Sequence, residues 1–188
     1  PYSSYELRVD ETSGDAQPVQ VERLAPGGTA VLQSGVADGT GGSVVLRWAN
    51  ESSSAEADQA LRVASAGCGT SCGADDTYRI RAYDTTLRGA RFNNAGSQRT
   101  VLILQNLSAG LVQAHLAYWS ADGTLIAAPA VDLQARETRV LDTSQAVPGQ
   151  SGSVTVSHAA GYGGLAGKRV VVQGLGNVGY FAARFLAD

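Results

Sequence analysis

The sequence predicts an all-β protein made of two small β-sandwich domains in tandem, with a short C-terminal tail of strand, glycine loop and helix. Apolar and polar residues alternate with a period of two through about the first 160 residues, the pattern of strands that bury one face. Helical periodicity is nearly absent from that stretch. A chain of 188 residues is long enough for two such domains. We place the domains at residues 1–84 and 85–166, and the tail at residues 167–188.

The first domain contains six strand-like runs, near residues 5–9, 19–22, 29–35, 43–50, 59–66 and 77–83. Alternation predicts one apolar face on these runs, and short strands of this kind form a small sandwich. The predicted inward-facing residues are Tyr5, Leu7, Val9, Val19, Val21, Val44, Leu46, Trp48, Leu61, Val63, Tyr78, Ile80 and Ala82. Glu6, Arg8, Arg79 and Arg81 are predicted to lie on the opposite faces.

The pattern restarts in the second domain with an apolar run at residues 101–104. In the run that follows, the predicted inward-facing residues are Val112, Ala114, Leu116 and Tyr118, and the outward-facing ones are Gln113, His115 and Trp119. Further strands are predicted near residues 125–133, 137–142 and 152–158. Asp-Gly pairs within residues 37–40 and 121–124 lie between strand-like runs, where glycine supplies the positive φ of a tight turn.

The chain is weakly charged. Charged residues make up 16% of it and the formal net charge is −3. Neither an acidic tail nor a basic field is present, so nucleic acid and anionic membranes are not expected partners. No run of about 18 apolar residues occurs, so no membrane span is expected. The chain begins at Pro1 without a signal-peptide pattern, which we interpret as a processed protein or an excised piece.

The two cysteines, Cys68 and Cys72, lie close together in a Gly/Ser-rich stretch that is typical of a loop. We expect a local disulfide, which favours an extracytoplasmic or secreted location. Free thiols and a metal site are the alternatives. A zinc site would need two further ligands, and His115 and His158 are distant in sequence. A redox pair would have two intervening residues, rather than three, and a helix that lowers the thiol pKa.

No catalytic or metal-binding residues are predicted. His115 lies on the polar face of its predicted strand and His158 at a strand end, so we interpret them as a surface histidine and a hydrogen-bonded edge histidine. The G-x-S-x-G turn that presents the serine of one common class of catalytic triad is absent. Asp75 and Asp76 come nearest to a calcium loop, but the required array of oxygen ligands is missing.

Two further features have simple interpretations. Trp119 is the better candidate for a sugar-binding surface, because Trp48 shares the inward parity of its strand and is expected in the core. Asn50 and Asn106 each begin an Asn-x-Ser sequence that matches a glycosylation acceptor. We interpret both as chance matches.

The runs at residues 1–9, 11–15, 74–83, 91–94, 100–106 and 151–158 resemble paired β-sandwich modules found near the ends of long secreted bacterial proteins. The N-terminal half is similar in style to pre-peptidase C-terminal domains, which are non-catalytic sandwiches appended to secreted enzymes. The resemblance implies export and an accessory or adhesive role, with a parent secreted protein or a surface glycan as partner. It transfers no catalytic residue.

The tail has a different pattern. A continuous apolar run at residues 169–172 leads into a G-x-G-x-x-G sequence and an Ala-rich helical pattern. Residues 164–188 resemble the start of the NAD(P) domain of glutamate, leucine, phenylalanine and valine dehydrogenases. The resemblance implies that the NAD(P) pyrophosphate is cradled by Gly174, Gly176, Asn177, Val178 and Gly179.

The nucleotide site is incomplete in this sequence. The fingerprint needs an acidic residue about 20 positions further on, and only nine residues follow Gly179. We therefore expect no cofactor for this chain alone, and NAD(P) only if the tail belongs to a complete domain. Two interpretations of the tail stay open: a chimeric join to a dehydrogenase fragment, or a last sandwich strand at residues 169–173.

The predicted function is a non-catalytic extracytoplasmic accessory or adhesive module that carries an incomplete dinucleotide-binding fingerprint. The alternative is a fragment of an NAD(P)-dependent amino-acid dehydrogenase fused to the module, which would place the chain in the cytoplasm.

Overall fold

The computed structural model of the chain describes residues 1–13, 18–39, 41–56, 58–66 and 77–173. The described chain is nearly all β, as predicted, with several small antiparallel sheets that resemble sandwiches. It divides into two compact units. The N-terminal unit comprises Tyr5–Trp48 and Ala55–Asp84, and the C-terminal unit comprises Pro1–Ser4, Ala49–Ser54 and the described chain from Thr85 onward.

The N-terminal unit contains two three-stranded sheets. The strands of these sheets are β1 (Ser3–Ser13), β2 (Val19–Leu24), β3 (Val31–Val36), β4 (Ser43–Asn50), β5 (Ala60–Ser65) and β6 (Thr77–Asp84). The first two residues of β1 and the last two of β4 belong to the C-terminal unit. One sheet has the order β4-β1-β6 and the other β3-β2-β5. The core between them consists of Leu7, Val9, Val19, Val21, Ala37, Val44 and Leu46, with Trp48 and Val63 packed against it. The predicted inward faces of β1, β2 and β4 supply most of this core.

The predicted burial of β6 is wrong. Tyr78 and Ile80 are 50% and 45% exposed, and Ala82 is exposed as well. The register pairs Ile80 with Val9 and Ala82 with Leu7, so the apolar side chains of β6 do lie on the core side of the sheet. They remain exposed because β6 is the edge strand, beyond the part of the sheet that the core covers.

The C-terminal unit has a five-stranded and a three-stranded sheet. Its elements are β7 (Leu87–Asn93), β8 (Gln98–Asn106), β9 (Val112–Trp119), β10 (Leu125–Ala127), β11 (Ala130–Leu133), β12 (Thr138–Asp142), a 3-10 turn (Thr143–Gln145), β13 (Ser151–His158) and β14 (Leu165–Gln173). The larger sheet has the order β10-β9-β13-β7, with β11 also pairing with β9. The smaller sheet has the order β12-β8-β14.

Alternation along β9 places its apolar side chains in the core, as predicted. The core cluster consists of Phe92, Leu102, Leu104, Ala114, Leu116, Tyr118, Leu133, Val147, Val154, Val156 and Leu165. The rings of Phe92 and Tyr118 pack edge to face, with centroids 5.3 Å apart. Burial raises the pKa of Tyr118 to about 12, helped by the Asp142 carboxylate. The phenol is therefore neutral across the physiological pH range.

The single strand predicted near residues 125–133 is divided into β10 and β11. Pro129 lies between them, and proline has no N–H to contribute to a ladder. Its carbonyl still accepts a hydrogen bond of 2.9 Å from the Leu116 N–H. Both short strands thus pair with β9 on either side of the proline.

The predicted turn at residues 121–124 joins β9 to β10. Gly123 has a φ of 83°, and the Ser120 N–H donates a hydrogen bond of 2.9 Å to the Thr124 carbonyl. The Asp122 carboxylate accepts from the Ser120 hydroxyl and from the Thr124 N–H. These hydrogen bonds lower the pKa of Asp122, so the turn is locked by an ionised aspartate. In the other predicted turn, Gly39 has a φ of 76°.

The last described strand, β14, pairs antiparallel with β8 from Leu165 opposite Asn106 to Gln173 opposite Gln98. Residues 169–173 therefore complete the smaller sheet of the C-terminal unit. Residue 167, where the sequence analysis places the start of the tail, lies inside this strand. The glycine loop and helix predicted at residues 174–188 lie outside the described residues.

Candidate functional site

The N-terminal unit contains a cavity of about 380 Å³ that opens to solvent. Side chains from both of its sheets line this cavity, which we call the Trp48 pocket. The lining residues are Tyr5, Glu6, Leu7, Arg23, Trp48, Gln59, Leu61, Ala82, Tyr83 and Asp84.

Strand register explains why a pocket forms at this end of the sandwich. Tyr5 lies opposite Asp84 between β1 and β6, and Arg23 lies opposite Leu61 between β2 and β5. Tyr5 and Arg23 continue the inward parity of the core residues on their own strands. Polar and bulky side chains thus occupy core-facing positions where an aliphatic pair would close the gap between the sheets.

Trp48 is the structural centre of the pocket. The Arg23 guanidinium lies over the indole ring, 4.8 Å from its centroid, which is within the range of a cation–π contact. The Tyr5 ring lies 5.6 Å from the indole at an angle of 31°. Because Trp48 also packs against the core, these contacts fix the ring on a rigid support. The inward position predicted for Trp48 is correct, and its ring forms part of a pocket wall as well as covering the core.

Arg23 carries unused hydrogen-bonding capacity. Its Nη1 donates to the Gln59 side-chain oxygen at 2.8 Å, and Gln59 in turn donates to Glu56 at 2.7 Å. The Arg23 Nε is buried and has no hydrogen-bond partner among the described residues. Burial lowers the pKa of Arg23, with Glu56 opposing the shift. The group stays charged, since arginine is not deprotonated in proteins, and it offers a desolvated donor.

Glu6 lines the pocket, but its carboxylate is engaged by arginines on the side of the sheet opposite to the core. Both oxygens of Glu6 accept from arginines, from Arg8 Nε at 2.5 Å and from Arg47 Nε at 2.8 Å. The lining contains no His, Cys, Ser or Thr among its described residues. An aromatic face with a few convergent polar groups is typical of a site for a small polar ligand.

A second aromatic cluster lies in the C-terminal unit around Trp119. The Tyr2 ring is 6.4 Å from the indole of Trp119 and 6.4 Å from the imidazole of His115. The indole N–H of Trp119 donates to the Thr155 hydroxyl at 3.0 Å, and His115 Nδ1 lies 3.7 Å from Glu51. Tyr2 adopts a φ of 42°, which is uncommon for a non-glycine residue. The outward position predicted for His115 and Trp119 is correct, but both side chains are half-buried.

His158 is buried and has a structural environment. Only 3% of it is exposed, and its Nδ1 accepts a hydrogen bond of 3.2 Å from the Ala160 N–H. Burial lowers the pKa of His158, and a backbone hydrogen bond with Thr85 opposes the shift. The prediction of a hydrogen-bonded histidine is correct. His158 is the last residue of β13, as predicted, and it lies opposite Ala114 of β9.

The two Asn-x-Ser sequences are turns rather than modification sites. Asn50 and Asn106 are 4% and 0% exposed. In each case the side-chain oxygen accepts from the serine N–H two residues later at 2.9 Å, and the amide nitrogen donates to the carbonyl four residues later. Because the amide nitrogens are buried and engaged, neither asparagine is accessible for glycosylation in the folded chain.

The remaining predicted site residues lie outside the described residues. They are the cysteines Cys68 and Cys72, the aspartates Asp75 and Asp76, and the nucleotide-loop residues Gly174, Gly176, Asn177, Val178 and Gly179. In the part of the chain that the structure describes, no group of three His, Cys, Asp or Glu residues is placed to hold a metal ion.

Sequence reasoning missed Arg23, Gln59 and Tyr83 as pocket residues. A signal for Arg23 was present, because it follows Val19 and Val21 at the next inward position of β2. A charged residue at a core-facing position marks a place where the core is interrupted. No comparable signal exists for Gln59, which lies outside the strands.

No protein-family model matches the chain, and no curated protein matches it. Within the described residues there is no helix long and apolar enough to cross a membrane.

Proposed function

We propose that this protein is a non-catalytic extracytoplasmic accessory or adhesive module that binds a small polar ligand, such as a glycan end group, in the Trp48 pocket. The observation that carries the proposal is the Arg23 guanidinium, stacked on Trp48 and left with a buried, unpartnered Nε among the described residues.

The cost of this arrangement supports a binding role. A buried donor without a partner costs about 1–3 kcal/mol, and an open pocket forfeits the packing that larger aliphatic residues would provide. A ligand acceptor could pair with the part of Arg23 that lines the pocket, while Trp48 and Tyr5 would cover the ligand's apolar face. A bound ligand would therefore offset the destabilisation that the unsatisfied donor and the lost packing cause.

Support for the location and the accessory role comes from the sequence. The resemblance of residues 1–166 to β-sandwich modules of secreted bacterial proteins favours export. The close spacing of Cys68 and Cys72 favours a disulfide, which persists in oxidising compartments. Thiol labelling of freshly exported protein without reductant should therefore detect no free cysteine.

The binding proposal is tested by applying the full chain to a glycan array and then measuring affinities for any captured glycan by calorimetry. Trp48→Ala should weaken binding at least about tenfold, as expected when a buried aromatic anchor is lost. Arg23→Met keeps the aliphatic stem and removes the donors, so it should weaken binding without unfolding the unit. Trp119→Ala is the matched control and should bind like wild type.

Two results would count against this proposal. A loss of affinity in Trp119→Ala but not in Trp48→Ala would place the ligand on the other aromatic cluster. An array on which the wild-type chain binds nothing would remove the adhesive role and leave a spacer function.

The alternative, a fragment of an NAD(P)-dependent amino-acid dehydrogenase, rests on the glycine fingerprint at residues 174–179. The preceding apolar run is part of an antiparallel pair with β8, whereas the family's nucleotide domain is built on a parallel sheet. A fluorescence titration with NADH separates the two functions. Saturable binding that Gly176→Val abolishes would favour the dehydrogenase fragment, and its absence would favour the accessory module.

A further inference from the structure

We propose that the outer face of the sheet β4-β1-β6 binds an acidic polysaccharide through four arginines. We call this surface the arginine face and define it by Arg8, Arg47, Arg79 and Arg81. It lies on the side of the sheet opposite to the core. Glu6 also belongs to the lining of the Trp48 pocket, but the proposal does not rest on the function proposed for that pocket.

The strand register places these arginines together. Arg8 on β1 is the direct cross-strand partner of Arg81 on β6, and Arg79 is the partner of Asp10. Directly paired residues share a face of the sheet, and Arg47 on β4 reaches the same face because it contacts Glu6. Three adjacent strands thus contribute to one surface.

Two carboxylates hold the four guanidinium groups. Glu6 binds Arg8 at 2.5 Å and Arg47 at 2.8 Å, and Asp10 lies 2.5 Å from Arg81 and 4.0 Å from Arg79. Four positive charges against two negative ones leave this face with a surplus of two positive charges among its described residues. The whole chain, by contrast, has a formal net charge of −3.

The positive charge of this face is also the more exposed one, because the two carboxylates lie beneath the guanidinium groups. The side chains of Glu6 and Asp10 are 0% and 15% exposed, whereas those of the four arginines are 34–63% exposed. A ligand that approaches the sheet therefore meets guanidinium groups first.

The guanidinium groups are pre-organised. Arg8 and Arg47 each donate to Glu6 through Nε. Arg8 also lies 6.0 Å from the centroid of the Tyr83 ring. Hydrogen bonds from Ser43 and Arg81 lower the pKa of Asp10, so this carboxylate stays ionised and keeps its arginine in place.

The charge density favours an acidic polysaccharide over nucleic acid. Neighbouring strands are about 4.8 Å apart and alternate residues of one strand about 6.8 Å apart, so the charges form a sparse flat array. Duplex DNA carries a charge about every 1.7 Å and is bound through many phosphate contacts. A surplus of two positive charges, on a chain with a net charge of −3, is too small for that kind of binding. Guanidinium groups bind carboxylates and sulfates well, and a polymer with one such group per sugar matches the array.

The test uses the full chain with polygalacturonate as the probe and dextran as the uncharged control polymer. Affinity is measured by calorimetry at low and at near-physiological salt. Wild type should bind polygalacturonate but not dextran, and binding should weaken as salt rises. The double variant Arg47→Gln with Arg79→Gln should bind at least about tenfold more weakly, because the sum of two charge-assisted contacts is lost.

A matched control separates the site from bulk charge. Arg62→Gln with Arg99→Gln removes two exposed arginines that pair with Glu22 and Asp142 and do not belong to this face. It should change the affinity less than about twofold. Trp48→Ala should also leave binding to polygalacturonate unchanged. Circular dichroism of all variants verifies that they are folded.

Three results would overturn the proposal. These are no binding of wild type to polygalacturonate at low salt, an equal loss in the two double variants, and tighter binding to a DNA duplex than to polygalacturonate. The last result would assign the face to nucleic acid instead.

Discussion

The two compact units bury their apolar inner faces to different extents. In the C-terminal unit, the inward residues of β9 and β13 are at most 6% exposed. In the N-terminal unit, core-side residues such as Leu61 and Ile80 are 44% and 45% exposed. Both units show the same alternation in their sequence, so alternation reports which side of a sheet a residue faces and does not report whether that side is covered.

Strand number is the physical reason for the difference. In a three-stranded sheet two of the strands are edges, and the N-terminal unit has two such sheets. In the C-terminal unit, β9 and β13 are flanked by neighbours in a five-stranded sheet. Inner-face residues of a central strand are covered from several sides. Those of an edge strand are buried only where the core covers them, as Val44 and Leu46 of β4 are and Ile80 of β6 is not. The pocket and the exposed apolar edge of the N-terminal unit both follow from this geometry.

The largest expected effect is on the closed core. Leu116→Ala should destabilise the C-terminal unit by about 2–5 kcal/mol, because it leaves a cavity in a packed interior. Ile80→Ala in the N-terminal unit should cost about 1 kcal/mol or less, because the side chain is already half exposed. Equal losses in the two variants would contradict the contrast between the units.

Tryptophan fluorescence during urea unfolding measures both effects. The chain has two tryptophans, Trp48 in the N-terminal unit and Trp119 in the C-terminal unit. Trp48→Phe leaves a reporter for the C-terminal unit, and Trp119→Phe leaves one for the N-terminal unit.

An intermediate effect is expected from buried polar groups of the C-terminal unit. The Asn106 amide nitrogen donates to the carbonyls of Gly110, Leu133 and Gln134, at 2.7–3.1 Å. Asn106→Ala removes this donor from the Leu133 and Gln134 carbonyls, while the Gly110 carbonyl still accepts from the Ser108 hydroxyl, and should cost about 1–3 kcal/mol. Asn50→Ala removes a similar turn with a single carbonyl partner, at Ser54, and should cost less. A larger loss for Asn50→Ala in urea unfolding would show that the number of buried partners is not decisive.

The smallest expected effect is a pH dependence confined to one unit. Burial holds the pKa of His158 below its ordinary value, which is about 6.5. As the pH falls below about 6.5, the unfolded chain takes up a proton that the folded state resists, so folding stability decreases toward the lowered pKa. The Trp119 reporter should therefore show weaker stability at pH 5.5 than at pH 7.5.

Two controls define that prediction. The variant His158→Gln should lose the pH dependence between pH 7.5 and 5.5. The chain has two histidines, both in the C-terminal unit, so the Trp48 reporter should change little over this range. The hydrogen-bonded Asp10 of the N-terminal unit has a pKa below its ordinary value, and its contribution is lost only as the pH falls below about 4.

Particular residues show how far the sequence was informative. The bounds of β4 and the inward face of β9 followed from alternation, because each strand buries the apolar residues of one face. Glu6 was placed on the outer face, but its complete burial beneath Arg8 and Arg47 was not foreseen, because those arginines lie on different strands. The Trp48 pocket was missed for a similar reason, since Arg23 and Trp48 belong to different sheets.

The sequence by itself determined the all-β class, the inward faces of the central strands and the glycine turn at Gly123, because each depends on neighbours a few positions away. The tertiary structure alone decided which faces are covered, that β14 closes the smaller sheet, and that Glu6 and Asp10 organise four arginines on one surface. Those properties depend on which strands become neighbours and which strands become edges, and local alternation contains no information about either.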